Sequence, residues 1–285
     1  MQQPRMNPRL APYRIFAAAD GAHRRSKNFP VTFAVRFHIS LAMALPPIVF
    51  EDAILLAFNK PGGIPVVPGG RDAPGGSLME SVQRELGPRI GNVHRLDSDA
   101  SGVLLCAKTK TALDSLSGQF QAKTVESIHH ALVVGAPAQD AFDVELPLAG
   151  DESRPGLMHI VKRGGRPAVT GFRVLERFRG FAWLECRPVT NRPHQIRVHL
   201  AASGLPVLND DNYGGETRLL LSTLKRGYKG RETEKPLIRG LALHASELVV
   251  THPLTRERLT VRAPLPDEFE IALKYLRRFG ALRRQ

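Results

Sequence analysis

The chain has 285 residues, 42% of them hydrophobic, which suffices for one large core or two modest ones and excludes a chain dominated by disorder. Its 40 Lys and Arg against 27 Asp and Glu leave a formal charge of +13, which favours a polyanionic partner such as RNA, DNA or an anionic surface and disfavours acidic proteins. Cys106 and Cys186 form neither a disulfide framework nor a Cys-x-x-Cys motif, so a reducing, cytoplasmic setting is expected, and no apolar run approaches the ~18 residues of a membrane span.

Residues 1–42 carry Arg5, Arg9, Arg14, Arg24, Arg25, Lys27 and Arg36 against Asp20 alone, and their apolar residues keep no period. The segment is Arg-rich and acid-poor like a transit peptide, yet Met43 opens MALPPIVFEDAILLAFNKP, which reads as the start of a compact domain. The expectation is a disordered basic arm over 1–42, or a start codon set too early, followed by a single domain over 43–285. A disordered arm would add non-specific affinity for RNA through counterion release.

Ile54 to Phe58 reads as a strand, followed by a long, exposed, turn-rich loop from Pro61 to Gly76. Ser77 and Glu80 form a capping-box pattern ahead of Leu78, Val82 and Leu86, and Gly87-Pro88 stops that helix. Gly102 to Ala107 reads as a buried strand, and Ala112, Leu113, Leu116 and Phe120 share one face of a second helix. Val169–Glu176 and Phe181–Arg187 flank an Arg179-Gly180 turn, as a hairpin should. A helix is predicted from Gln195 to Ser203 with Gly204 as its stop. Glu247–Val250 and Arg258–Val261 surround a His252-Pro253 turn, and Phe269, Ala272, Leu273 and Leu276 mark a closing amphipathic helix. Hairpins mixed with helices, without regular strand-helix-strand alternation, predict an α+β domain on a mixed, largely antiparallel sheet with flanking helices.

The chemistry-bearing segment is GNVHRLDSDASGVLLCAKT, a polar knot of His94, Arg95, Asp97, Asp99 and Ser101 just before the buried strand. Residue type alone leaves two readings: an Asx-type turn in which Asp97 or Asp99 caps backbone amides, or a reactive carboxylate. His-Arg-Leu-Asp followed by Ser-Gly and an apolar strand resembles the signature of RluA-type pseudouridine synthases, with Asp97 at the catalytic aspartate. Further elements follow in that family's order. They are Asn59-Lys60-Pro61, the block of Arg192, His194, Gln195, Ile196, Arg197, Val198, His199 and Leu200, then Asp210 with Tyr213-Gly214, then His244-Ala245 with His252-Pro253. The resemblance covers about residues 48–270, and five motifs in order make a chance match very improbable.

The resemblance implies a catalytic domain over 43–285 that converts uridine to pseudouridine in structured RNA. The target base would be extruded into the pocket. It implies Asp97 as nucleophile or base, kept ionised beside Arg197 although buried. It also implies His94, Arg95, Arg192, His194 and Gln195 as RNA contacts, Arg95 and Arg192 as candidates for phosphates or for holding the catalytic loop, and Tyr213 as scaffold. No cofactor and no metal are expected, and the protein is expected to be a monomer acting on transfer RNA or large-subunit ribosomal RNA.

The chain departs from the family pattern where Lys-x-Tyr is usual, reading Ser127-Ile128-His129. Imidazole can stack on a base and accept a proton near neutral pH, so His129 is a candidate for both tasks of the tyrosine. Ala100 stands where the family prefers threonine, and Asn191 where it prefers glycine, although Asn tolerates left-handed backbone. A second reading therefore stays open, that of an RNA-binding or ribosome-assembly factor that has lost turnover. Asp97 and Arg197 speak for an enzyme, because a pure binder gains nothing from a carboxylate that repels phosphate. Zinc is not supported, since His194 and His199 stand five apart with no cysteine pair or His-Glu-x-x-His. The kinase-like His-Arg-Leu-Asp lacks a following Asp-Phe-Gly, and the Lys-Thr ending of Gly102–Thr109 lacks the second glycine of a phosphate loop.

Overall fold

The computed structural model describes residues 44–68, 76–215, 217–228, 230 and 233–282, so the basic segment 1–42 and part of the loop after Pro61 lie outside the described residues. In chain order the elements begin with β1 (Ile48–Glu51), β2 (Leu55–Lys60), α1 (Leu78–Leu86), β3 (Gly91–Asn92), β4 (Ser101–Ala107) and α2 (Lys110–Gln121). Next come β5 (Glu126–Val134), β6 (Ala141–Glu145), β7 (Leu148–Gly150), β8 (Met158–Ile160), β9 (Val169–Phe178) and β10 (Phe181–Pro188). The chain continues with α3 (Gln195–Ala202), α4 (Leu221–Leu224), β11 (Leu243–Thr251), β12 (Arg258–Arg262) and α5 (Asp267–Phe279).

The main sheet runs β1-β2-β4-β11-β5-β10-β9-β6, with β12 beside β11 and β3 beside β4, while β7 and β8 form a small separate hairpin. Only the β4–β11 pair is parallel, so the sheet is mixed and largely antiparallel as expected.

Local chemistry explains most boundaries. Ser77 Oγ accepts from Glu80 N–H and Glu80 Oε2 accepts from Ser77 N–H, a reciprocal capping box that starts α1. The β9–β10 hairpin turns at Arg179-Gly180, where Gly180 takes φ 80°. Residues of β4 are buried along its whole length because both faces are covered. Val103 and Leu105 meet Ala112 and Leu116 of α2, whereas Leu104 and Cys106 meet Leu78 and Val82 of α1. The largest core lies around β5, β9 and β10, where α3 contributes Ile196 and Leu200 and α5 contributes Phe269, Leu273 and Leu276.

The parallel β4–β11 pair matters most for function, because β4 begins where the Asp97 loop ends. Its register sets His244 against Ser101 and Ala245 against Gly102. Gly102 takes φ 120°, and a Cβ there would lie 2.2 Å from the Ala245 carbonyl oxygen. Only glycine allows this approach. Ser101 Oγ then donates to His244 Nδ1 at 2.9 Å while His244 Nε2–H donates to Ala263 O at 3.2 Å, which ties the loop exit to β11 and β12. Gly102→Ala is expected to cost at least ~2 kcal/mol through backbone strain and lost pairing. A denaturant midpoint equal to that of the wild type would contradict this account of the loop's anchor.

Candidate active site

Asp97 sits in the connection between β3 and β4, and the connection is fixed at several points. Ala100 N–H donates to Asp97 O at 3.2 Å, and Gly63 N–H donates to Ser98 O at 2.9 Å. Lys60, fully buried at the end of β2, donates its ammonium to Pro61 O, Ile64 O and Ser98 O at 2.8, 2.8 and 2.9 Å. Burial pulls the Lys60 ammonium down to about 8, although Asp99 and Asp97 oppose the shift. The sequence shows Lys60 only as a motif residue. Its task as the clamp between two loops comes from the fold.

Arg197 enters from the first turn of α3. It is 2% exposed. Its Nε and Nη2 donate to the two oxygens of Asp210 at 2.7 and 2.8 Å, a bidentate pair with a fully buried carboxylate. Its Nη1 points to Asp97 Oδ2 at the longer distance of 3.4 Å. The Tyr213 ring lies against the guanidinium, 5.1 Å from centroid to carbon. Asp210 and Asp97 hold the Arg197 charge so firmly that its pKa rises despite desolvation. Residues 97 and 197 are therefore neighbours, and the burial expected of Asp97 is partial. Its side chain keeps 20% exposure, as a group that must meet a substrate should.

α3 is launched by His194, whose backbone is left-handed at φ 54°. His194 Nδ1 pairs with Tyr213 Oη at 2.8 Å, and that oxygen accepts from Met158 N–H at 2.9 Å, so Tyr213 joins β8 to the site. Asn191 is absent from the left-handed positions among the described residues, so the glycine of the family pattern is not needed there for backbone reasons.

Gln195 does not reach the surface, contrary to the expectation of an RNA contact. It is buried, its Oε1 accepts from Thr190 Oγ–H and Arg192 N–H, and its Nε2 donates to Val169 O and Thr170 Oγ1. It pins the loop before α3 to β9. Arg95 is exposed, and Arg192 is half-buried with Nε donating to Pro167 O at 3.2 Å. Asp97, Arg95, Arg192, His194, His129, Ile196 and Leu243 border one small cavity of about 60 Å3, which is where the fold gathers the expected residues.

His129 lies in β5 between Cys186 of β10 and Ala245 of β11. Desolvation, reinforced by His94, His244 and His130, pulls its pKa to about 3. Desolvation thus weakens His129 as a base and favours its neutral form. His129 is a neutral imidazole that can stack and exchange hydrogen bonds. His94 stacks on Phe120 at 5.2 Å, and its Nε2 accepts from Leu105 N–H at 3.1 Å. Burial lowers both His94 and His244 to about 4. Among the described residues no cluster of three or more His, Cys, Asp or Glu side chains could hold a metal ion.

Residues 54–202 match the family described as RNA pseudouridylate synthase. The chain is 37% identical over 234 residues to ribosomal large subunit pseudouridine synthase D of Neisseria meningitidis, covering 81% of this chain but 61% of that protein. Ribosomal large subunit pseudouridine synthase C of Vibrio vulnificus is 36% identical, with 81% of this chain and 69% of the relative covered. Among solved structures, human RNA pseudouridylate synthase domain containing 1 superposes with a TM-score of 0.60 at 26% identity, covering 77% of this chain and 83% of that one.

The neutral histidines set an acid limit. Each stays uncharged in the fold down to pH about 4, whereas an unfolded histidine takes its proton near ~6.5. Between those values the unfolded chain binds more protons, so stability falls as pH falls. The urea midpoint should decline from pH 6.5 towards 4, and the ring resonances of His94 and His129 should not titrate between pH 7.5 and 5. Ring titration midpoints near 6.5 would overturn the neutral-cluster description.

Proposed function

The chain belongs to the RNA pseudouridylate synthase family, and on that premise we propose that it isomerises selected uridines of structured RNA to pseudouridine. The bond between uracil N1 and ribose C1′ breaks, the base turns, and C5 joins C1′. The proton displaced from C5 passes to solvent and N1 gains one, so atoms balance and no oxidant, reductant or cofactor is consumed. Asp97 is the nucleophile or base, Arg197 holds it, and His129 packs on the extruded base as a neutral ring. Arg95 and Arg192, on the rim, engage backbone phosphates. His194 faces the same cavity and remains a candidate contact.

The observation that carries this reading is the partly exposed Asp97 carboxylate, 3.4 Å from the free end of a guanidinium that Asp210 orients through Nε and Nη2, at the edge of a cavity walled by Ile196, Leu243 and His129. A carboxylate that merely capped a turn would have no need of a second, buried charge behind it. The names of the two bacterial relatives favour large-subunit ribosomal RNA over transfer RNA as substrate. Among the described residues no helix is long and apolar enough to cross a membrane, and we place the protein in the cytoplasm as a metal-independent monomer.

The test uses RNA carrying tritium at uridine C5. Wild-type protein should release tritium, and Asp97→Ala should lower the rate by ~10³ or more while still binding RNA. His129→Ala should slow turnover with binding unchanged, whereas a gain in turnover for His129→Tyr would mark the imidazole as a decayed tyrosine. Equal release by wild type and Asp97→Ala, or none from any cellular RNA pool, would favour an RNA-binding or assembly role instead.

A further inference from the structure

Beside the Asp97 cavity lies a larger one of about 400 Å3, within the ~300–1,000 Å3 range of small-molecule sites. The two adjoin, because Arg95, Leu96, His129 and Arg192 border both. Its walls divide into two kinds. Val103, Phe120, Val125 and Leu248 give an apolar surface, and around it stand Gln121, Lys123, Ser127 and Glu247 with hydrogen-bonding groups. Glu247 keeps one carboxylate oxygen on Arg262 Nε at 2.7 Å, which leaves the other for an amino group. Lys123 is exposed, and with Arg95 and Arg192 it sets three cations around an opening otherwise fit for a flat apolar ligand.

Resting on the reading of the Asp97 site as a uridine-isomerising centre, we propose that this cavity takes a second unstacked nucleotide of the same RNA strand. Its base lies on the Phe120–Val125 surface, its edge meets Gln121, Ser127 and Glu247, and its phosphate meets Lys123 and Arg95. Two features argue for this occupant. The shared wall with the Asp97 cavity puts the two within one strand's reach, and the cationic rim around an apolar floor fits a phosphate attached to a base better than it fits a peptide or a lipid. Side-chain size points the same way. Ser127 and His129, two of the departures from the family pattern, both border this space, and the longer lysine at 127 and tyrosine at 129 would take up more of it. The short residues therefore open room that the usual ones would occupy, and the cavity becomes a device for choosing the sequence next to the target.

The experiment is an abasic scan of the RNA fragment that turns over in the tritium assay. If none turns over, the scan uses the fragment of large-subunit ribosomal RNA that the protein retains most tightly. Binding is read by filter retention, which is independent of turnover, so failure of the isomerase reading does not mask the result here. With wild type, removing the base at one position other than the target uridine should weaken binding about tenfold, within the range of one base stacked on an aromatic surface. In Ser127→Trp, which fills the cavity, binding of the intact RNA should weaken by a similar factor, and the abasic change should then add nothing. Ser127→Lys, a milder filling, should follow the same pattern and covers the case of a poorly folding tryptophan variant. The proposal is overturned by an abasic effect confined to the target, by one that persists unchanged in both variants, or by retention of no RNA fragment at all.

Discussion

The guanidinium of Arg197 is the point on which the site depends. Removing one partner from a buried ion pair costs ~3–5 kcal/mol because the other charge is left without solvent or counter-charge. Arg197 and Asp210, 2% and 0% exposed, are in that position, so α3 and the Asp210 turn are fixed relative to one another by charge as well as by packing. What remains of the guanidinium, Nη1, is directed towards Asp97 at 3.4 Å, too long for a tight bond. The arrangement supplies a preorganised cation without closing the carboxylate off from a substrate. Lys60 and the Ser101–His244 pair hold the same loop just after Asp97, through the Ser98 carbonyl oxygen and through β11.

The pocket beyond this pair is unusual in its use of histidine. Desolvation favours the neutral form of His94, His129 and His244, and at His129 the neighbouring His94, His244 and His130 add to it. Apart from the buried Arg197 and Lys60, whose charges are engaged by Asp210 and by backbone oxygens, positive charge stands at the rim, on Arg95 and Arg192. A neutral interior with a cationic rim suits a flat base carried on an anionic backbone, since phosphate is drawn to the entrance while the base alone meets the interior. The same division extends into the neighbouring larger cavity through the residues the two share.

Local elements were legible in the sequence because their signals are local. The Ser77–Glu80 box, the Arg179-Gly180 turn and the apolar face of α5 each declare themselves within a dozen residues. The parallel β4–β11 contact, joining residues 143 positions apart, left only the trace of Gly102, whose reason is the passing Ala245 carbonyl. The motifs brought Asp97 and Arg197 together only through family resemblance, and Asp210 carried no charge-pairing signal in its surroundings. Gln195 misled because a polar residue beside a reactive arginine looks available, whereas four hydrogen bonds consume it inside the fold. The environment of His129 was hidden for a related reason: an imidazole's pKa belongs to its neighbours, and those come from β11, from β5 itself and from the His94 loop.

A double-substitution cycle on single-turnover rates of pseudouridine formation, with Asp210→Asn and Arg197→Lys made singly and together, is the most direct trial of the central interaction. If Asp210 acts on the reaction only through the guanidinium it orients, each change alone should slow the chemical step and the pair should be no slower than Arg197→Lys by itself. Losses that multiply, or an Asp210→Asn protein that is folded and fully active, would contradict the view that one buried cation links the scaffold to the reacting carboxylate.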